Sequence, residues 1–412
     1  MGSTIIPIPD EASSKTQTHH HHDHHFSFVI KENDSMKLIH GIKVGVALVL
    51  VSLIYFLDPL YQEIGDDNAM WAIMTVVVTF EFYAGATLAK GLNRGMGTIL
   101  GGGLGFLVAI LGKKVGGIGN SILVGASMLI FGGIATYWRL RPKFKVRYDY
   151  GAMIFILTFS LVALSGLREA DTVIEIARER LLMIVLGFLI CIFSSLLIFP
   201  IWASDELHHS TISKFNSLAT SIEECLEEYF IENKEDQQTV SFTKCNSVLN
   251  SKSKDESLAN FARWEPWHGK FGMSYPWEKY LKIGEVLREV AATIISLKPC
   301  LVQLSPDKQV LRQSIKEPCE AVGTSLASSL RELGENMKKM RKCKAEAEDV
   351  MLPELKSLTI ELSRMISPSY LSHPDGLAIA SFVFSLMDME QKLQDLAKQV
   401  QQLGQATCTC SF

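Results

Sequence analysis

The sequence predicts an all-α membrane protein in which a six-helix transmembrane domain is followed by a cytosolic helical domain. Nearly every long apolar run lies before residue 203, whereas the segments after it have the mixed polar and apolar pattern of soluble helices. A bilayer core takes about 20 apolar residues per helix. The chain of 412 residues also exceeds one ordinary core, which favours two domains.

The N-terminal segment, residues 1–36, is polar and is predicted to be disordered. It contains the run HHHHDHH, His19 to His25. A histidine-rich run can bind a transition metal. An unselected tract without a metal site is the simpler interpretation, and we expect neither a metal centre nor a cofactor.

The transmembrane domain is predicted over residues 37–202. Its six apolar spans are residues 41–57, 69–88, 95–111, 121–138, 152–167 and 181–202. Gly97, Gly101 and Gly105 recur every four residues in the third span. Small residues on one stripe let helix backbones approach closely in lipid, so this span is expected to pack tightly against another.

The distribution of lysine and arginine predicts that both termini lie in the cytosol. Ten such bases fall in the N-terminal flank and in the loops after the second and fourth spans, against five in the other loops. Cytosolic loops carry the excess of these residues. This count treats Lys90 and Arg94 as loop residues.

Residues 203–412 are predicted to form the cytosolic helical domain, which ends in a heptad helix over about 377–404. Its seam residues are Ile379, Phe382, Leu386, Met389, Leu393, Leu396, Val400 and Leu403. Such a seam is typical of a coiled coil that joins subunits. A helix packed on its own domain has the same pattern, and both interpretations remain open.

Composition and motifs exclude several classes of protein. The net charge of -4 gives no sign of a nucleic-acid partner. The sequence has no GxxxxGK[ST], GxSxG or HExxH motif, so neither an enzyme nor an ATP-driven pump of a known motif type is expected.

Glu81 is an acid inside the predicted second span, about 15 Å along the helix from Trp71. An ionisable residue in a membrane is costly and usually faces a partner or a water-filled path. Lys90 and Arg94 are its candidate partners. The alternatives are a structural ion pair and a role in gating or proton coupling.

Lys43, Arg94 and Arg180 are bases at or next to the predicted ends of the first, third and sixth spans. Each can extend its charge to the lipid headgroups. Alternatively, they line a path for anions, because fixed positive charge replaces the hydration of a carboxylate and arginine holds a carboxylate with two hydrogen bonds.

Longer motifs occur in the order AMWAIMTVVVTFEF, GATLAKGLNRGMGT, YDYGAMIFILTFSLV, FPIWASDELH and VLNSKSKDESLANFARWEPWHGKF. Together they closely resemble the plant aluminium-activated malate transporters. The last motif contains that family's signature, Trp264, Glu265 and Pro266. The signature has no obvious chemistry; because proline cannot continue a helix, we expect a structural corner with Trp264 buried and Glu265 paired.

The resemblance implies a passive anion channel that passes malate and inorganic anions, built as a homodimer in membrane lipid. It also implies that Arg94 and Arg180 line the pore. In members that respond to aluminium, outward acids bind the ion; Glu63, Asp171 and Glu175 supply acids on the predicted outer side. Plasma-membrane and vacuolar members share these motifs, and we favour the plasma membrane.

Two rival functions fit the same residues. A proton-coupled carrier of organic anions would use Glu81 as its proton site. A membrane-tethered scaffold would have its activity in residues 203–412.

Overall fold

The structure is a computed structural model that describes residues 20–56, 69–166, 173–230, 242–269, 271, 275–302, 309–339, 351–365 and 374–409. The regular elements within these ranges are all α-helices, and the only extended pairing among them is an isolated bridge between His268 and Phe271. The predicted all-α class is therefore confirmed.

Six helices precede residue 203 among the residues that the structure describes. They are α1 (His20–Phe56), α2 (Ala69–Thr79), α3 (Ala84–Val115), α4 (Gly117–Arg139), α5 (Pro142–Ser165) and α6 (Val173–Leu197). Because α1 begins at His20, it includes residues 20–36, which the sequence analysis assigned to the N-terminal segment. The sequence from His20 to His40 has no glycine or proline to interrupt a helix that continues into the first span.

Eight helices follow residue 203 in the described part of the chain. They are α7 (Ala203–Phe230), α8 (Thr243–Leu249), α9 (Lys252–Ala262), α10 (Trp277–Ser296), α11 (Lys298–Val302), α12 (Gln309–Lys339), α13 (Met351–Met365) and α14 (Pro374–Thr409).

Four of the described helices are long and apolar enough to cross a bilayer, judged by length and composition. Their apolar stretches are Asp34–Leu53, Ala84–Val115, Gly117–Arg139 and Phe144–Ser165. The other two predicted spans coincide with shorter apolar helices, Met70–Thr79 and Leu181–Leu197.

The boundary between the second and third predicted spans was misplaced. The chain breaks at residues 80–83, and α3 then runs without interruption from Ala84. Two hydrogen bonds that do not belong to the helical i to i−4 pattern hold the break. Glu81 N–H donates to Thr87 Oγ1 over 3.0 Å, and Ala84 N–H donates to the Ile201 carbonyl over 3.0 Å. Lys90 and Arg94 are therefore helical rather than loop residues, which weakens the count used for orientation.

The chain divides into two compact units, Met1–Phe80 with Leu182–Phe199, and Glu81–Leu181 with Pro200–Phe412. In the first unit, α2 packs against α1 and α6 through a small apolar cluster that includes Ala47, Val51, Ala72, Val76 and Cys191. The second unit contains α3 to α5 together with the helices after residue 203, a grouping that the predicted boundary at 202 does not anticipate.

The glycine stripe of α3 packs directly on α5. A Cβ atom placed on Gly97 would lie 2.5 Å from the Gly151 carbonyl oxygen, and one on Gly101 would lie 2.6 Å from the Phe155 carbonyl oxygen. Both distances are far inside van der Waals contact. The expected close approach of helix backbones is therefore present in the structure.

The heptad helix packs on its own chain. All eight seam residues of α14 are buried in the core shared by α7, α10, α12 and α13. Phe382 of the seam stacks on Tyr229 of α7 with ring centroids 3.8 Å apart. Because the seam is occupied within the chain, the structure decides against a coiled coil that joins subunits along it.

Candidate functional site

A polar stripe runs along α3 through Lys90, Arg94 and Thr98. These residues are four apart, so they share one face of the helix and follow each other at about 6 Å intervals. The Lys90 side chain is 40% exposed, whereas Arg94 and Thr98 are 7% and 9% exposed. The stripe therefore leads from a partly open end into a buried one.

Arg94 is the buried charge of this stripe. Its Nη1 donates a hydrogen bond of 3.1 Å to the Tyr150 hydroxyl on α5, while its buried Nε has no hydrogen-bond partner among the described residues. No described carboxylate forms an ion pair with it. Burying a cation without an opposite charge costs several kcal/mol, and among the described residues only the Tyr150 hydroxyl offsets that cost.

Glu81 and Lys90 form an ion pair. Glu81 lies in the break after α2 and its side chain is 34% exposed, so its predicted position deep inside a helix was wrong. Lys90 Nζ also lies 5.9 Å from the centre of the Tyr150 ring. The pair cancels the charge at the open end of the stripe and leaves Arg94 as its net positive charge.

The segment around the start of α5 has its own polar contacts. Arg139 makes two hydrogen bonds to the Asp149 carboxylate, of 2.8 and 3.3 Å. Asn93 Nδ2 donates to the Arg147 carbonyl over 2.8 Å and so ties α3 to the first turns of α5. One base of this segment is thus neutralised, and Arg141, Lys145 and Arg147 remain exposed.

Lys43 is a second buried base, on α1 in the first unit. Its side chain is only 1% exposed, and it has neither an ion pair nor a hydrogen bond to any described residue. An end-of-helix lysine that extends to the headgroups would be exposed at its tip, so burial argues against that interpretation.

The remaining predicted site residues lie wholly or partly outside the described structure. Arg180 and Glu175 belong to α6, but their side chains are not described; Glu63, Asp171 and His19 are outside the described residues, as are the side chains of the other histidines up to His25.

The Trp-Glu-Pro signature forms a corner after α9. The buried Glu265 carboxylate accepts hydrogen bonds from the Ala203 and Ser204 backbone N–H groups, of 2.6 and 3.2 Å, at the first turn of α7. Burial raises the pKa of Glu265, and these hydrogen bonds oppose the rise. Glu265 is paired, although with backbone groups, and Trp264 is half-buried rather than buried.

This corner also contacts the start of α3. The Gly85 position faces the Phe261 carbonyl oxygen and the Glu265 side chain, with no space for a Cβ atom. The ring of Tyr83 stacks on that of Phe261 with centroids 6.3 Å apart. The signature therefore joins α3 to α7 and α9.

Sequence reasoning identified Arg94 but missed Tyr150 and Thr98. Tyr150 belongs to the motif YDYG, where nothing in the sequence indicates a contact with Arg94, 56 positions away. Thr98 had a usable signal, because it follows Arg94 by four residues on a helix. The misplaced loop at residues 89–94 hid that spacing.

Comparison with known proteins gives a consistent result. The family model described as aluminium activated malate transporter matches residues 28–375. Aluminum-activated malate transporter 14 of Arabidopsis thaliana is 43% identical over 323 residues, which cover 77% of this chain and 59% of that protein. Aluminum-activated malate transporter 2 of the same plant is 35% identical over 389 residues, covering 92% and 76%.

A wheat relative, Aluminum-activated malate transporter 1 of Triticum aestivum, is 37% identical over 283 residues, covering 66% of this chain and 60% of that protein. The chain spans about three fifths of the length of Arabidopsis transporters 12, 13 and 14.

These relatives are named as transporters and not as enzymes. Together with the long apolar helices, they identify an integral membrane protein. With a family model that matches most of its length, the chain belongs to the aluminium-activated malate transporter family.

Proposed function

We propose that the protein is an anion channel that passes malate and small inorganic anions across a plant membrane. The observation that carries this proposal is Arg94, a buried guanidinium on an apolar helix with no ion-pair partner among the described residues. An anion that leaves water needs fixed positive charge to replace its hydration. A base already neutralised by an acid cannot supply it.

Lys43 has the same character, because it is buried and unpaired among the described residues. Arg180 enters the proposal from the sequence and the family resemblance alone. Passive movement needs no fuel: a dianion that leaves a cell held 100 mV negative gains about 4.6 kcal/mol.

The test is a patch-clamp comparison of Arg94→Glu with the wild-type protein. Reversing the charge is expected to abolish or strongly reduce malate current, while Arg94→Lys keeps part of it. Lys114→Glu is the matched control, since it reverses an exposed charge at the other end of the same helix. Unchanged current in Arg94→Glu at normal surface expression removes Arg94 from the path.

The same recordings distinguish a channel from a proton-coupled carrier. Coupling to protons makes the reversal potential move with pH, and Glu81→Gln would remove that movement. The ion pair of Glu81 with Lys90 favours a structural role, so we expect a reversal potential set by the anion gradient. A scaffold, in contrast, predicts that substitutions of Lys43, Arg94 and Arg180 change nothing.

We further propose a homodimer in the plasma membrane with both termini in the cytosol. Because the α14 seam is buried within the chain, the dimer contact must use another surface. Stepwise bleaching of a fluorescent fusion tests the subunit count, and its position in plant cells tests the membrane. Glu63, Asp171 and Glu175 remain the proposed outer aluminium site, to be tested by neutralising them and measuring activation by aluminium.

A further inference from the structure

We propose that Arg94, Thr98 and Tyr150 form a binding subsite for the planar carboxylate group of an organic anion, and that Thr98 and Tyr150 set the preference for carboxylates over halides. This inference rests on the proposed anion path along α3. It adds two residues that neither the charge pattern nor the motifs single out.

Tyr150 determines which edge of the Arg94 guanidinium is available. Its hydroxyl accepts a hydrogen bond from Nη1, which occupies one of the two N–H groups of that nitrogen. Nε is buried without a hydrogen-bond partner among the described residues, and the hydrogen bond of the guanidinium to a described residue comes from Nη1. The free edge is therefore Nε with Nη2, two parallel donors that match the two oxygens of a carboxylate.

Thr98 supplies a hydroxyl one turn further along the stripe. Threonines in helices commonly satisfy their hydroxyl on the carbonyl four residues earlier, and Thr75, Thr211 and Thr359 do so here over 2.7 to 2.8 Å. Thr98 does not: its buried Oγ1 has no hydrogen-bond partner among the described residues. Its hydroxyl is thus an unsatisfied donor among the described residues, one helical turn from Arg94 on the same face of α3.

The charge of the subsite suits a single carboxylate. Lys90 is neutralised by Glu81 and Tyr150 is a neutral hydroxyl, so the stripe carries one net positive charge at Arg94. A carboxylate cancels that charge and fills both guanidinium donors at once. A spherical halide cannot align with two parallel N–H bonds in the same way. Nitrate shares the planar arrangement of oxygens and should respond as a carboxylate does.

The experiment removes one hydroxyl at a time from the full-length channel and measures permeability ratios from reversal potentials. Thr98→Val removes a donor to the anion, and Tyr150→Phe removes the hydroxyl that orients the Arg94 guanidinium. Each is expected to lower the malate-to-chloride and nitrate-to-chloride ratios by about tenfold or more, as the loss of one hydrogen bond to a charged group implies. Thr98→Ser keeps the hydroxyl and should retain the wild-type ratio.

Two controls separate this effect from general damage. Thr75→Val removes a hydroxyl that is already satisfied on the Trp71 carbonyl, and Tyr148→Phe removes one from a neighbouring half-buried tyrosine. Both should leave the ratios unchanged. The ratio does not depend on the number of channels at the surface, so a moderate loss of expression does not affect it.

The outcomes distinguish this inference from the proposed function. If Arg94→Glu abolishes the current while Thr98→Val and Tyr150→Phe keep both ratios within twofold of the wild type, the path remains and the subsite is wrong. If Arg94→Glu is also silent, the proposed path itself fails. If the malate-to-chloride ratio falls and the nitrate-to-chloride ratio does not, the proposed alignment of planar anions with the Nε and Nη2 donors of Arg94 is wrong.

Discussion

Two regions of the second unit bury cations in opposite ways. In the helical part, Lys214 Nζ lies 2.6 Å from both oxygens of Asp255, which also accepts hydrogen bonds from Ser251 over 3.0 Å and Arg288 over 3.4 Å. On α3, Arg94 has only a tyrosine hydroxyl. The first arrangement is what a stable core requires; the second leaves the guanidinium without a carboxylate partner among the described residues.

The comparison also concerns how each base remains charged. Burial lowers the pKa of Lys214, and the hydrogen bond and charge of Asp255 oppose that change. Arginine needs no such help, because its guanidinium stays protonated in proteins. At a buried position without a carboxylate, arginine therefore keeps its charge more reliably than lysine does.

The largest expected effect breaks the paired cluster. Asp255→Asn leaves Lys214 and Arg288 without their acid and should lower the free energy of unfolding by about 3–5 kcal/mol. Thermal unfolding of the purified full-length protein measures it. Arg94→Gln should leave the melting temperature unchanged or raise it, since no described acid is orphaned.

Asp395→Asn is the control for this pair of variants, because it disrupts an exposed ion pair with Lys398 and should have almost no effect. A large loss of stability in Arg94→Gln would contradict the comparison, since it would mean that Arg94 has a structural partner.

The second effect concerns what replaces ion pairing on α3. Gly101 faces the backbone of α5, so Gly101→Leu forces the two helices apart and should cost about 1–3 kcal/mol or more. Gly103→Leu is the matched control two residues away, because nothing lies within 4 Å of the position of its Cβ. Unfolding curves in detergent should separate the two variants; equal curves would mean that close packing does not hold this pair together.

The smallest effect concerns the buried acid Glu265, whose pKa is raised by burial. A carboxyl with a raised pKa in the folded state binds its proton more tightly there than in the unfolded chain. Its contribution therefore favours the folded state below the ordinary glutamate pKa of about 4.3 and declines as pH rises through the folded-state pKa.

Unfolding measured from pH 4 upwards in wild type and Glu265→Gln isolates this contribution. The difference between the two proteins should change with pH across that window, with the wild type losing more stability as pH rises. A difference independent of pH would show that the backbone N–H groups of Ala203 and Ser204 fully offset the burial.

The sequence predicted those features of the fold that depend on local apolar patterns. The all-α class, the glycine contact between α3 and α5 and the helix at 377–404 follow from residue spacing alone. The break at residues 80–83 does not follow from spacing. It is held by hydrogen bonds to the Ile201 carbonyl, which is far away in sequence, and to the Thr87 side chain. That break determined which residues counted as loop.

The site was predicted only in its charges. Arg94 was visible as a base beside an apolar span. Its hydrogen-bond partner Tyr150 was not, because that contact joins two helices and is not visible in the sequence. The α14 seam shows a different limit of sequence analysis. A heptad pattern indicates that one face of a helix is buried, but it does not indicate whether the neighbouring helix belongs to the same chain or to another.

The glycine stripe has a further consequence for the register of α3 and α5. Sliding one helix along the other by a single residue moves it about 1.5 Å and would bring bulkier side chains against the partner backbone. The contacts at Gly97 and Gly101 therefore fix the register of the two helices, which places Arg94 opposite Tyr150. The position of the Arg94 guanidinium relative to Tyr150 is then set by steric contact between the two helices.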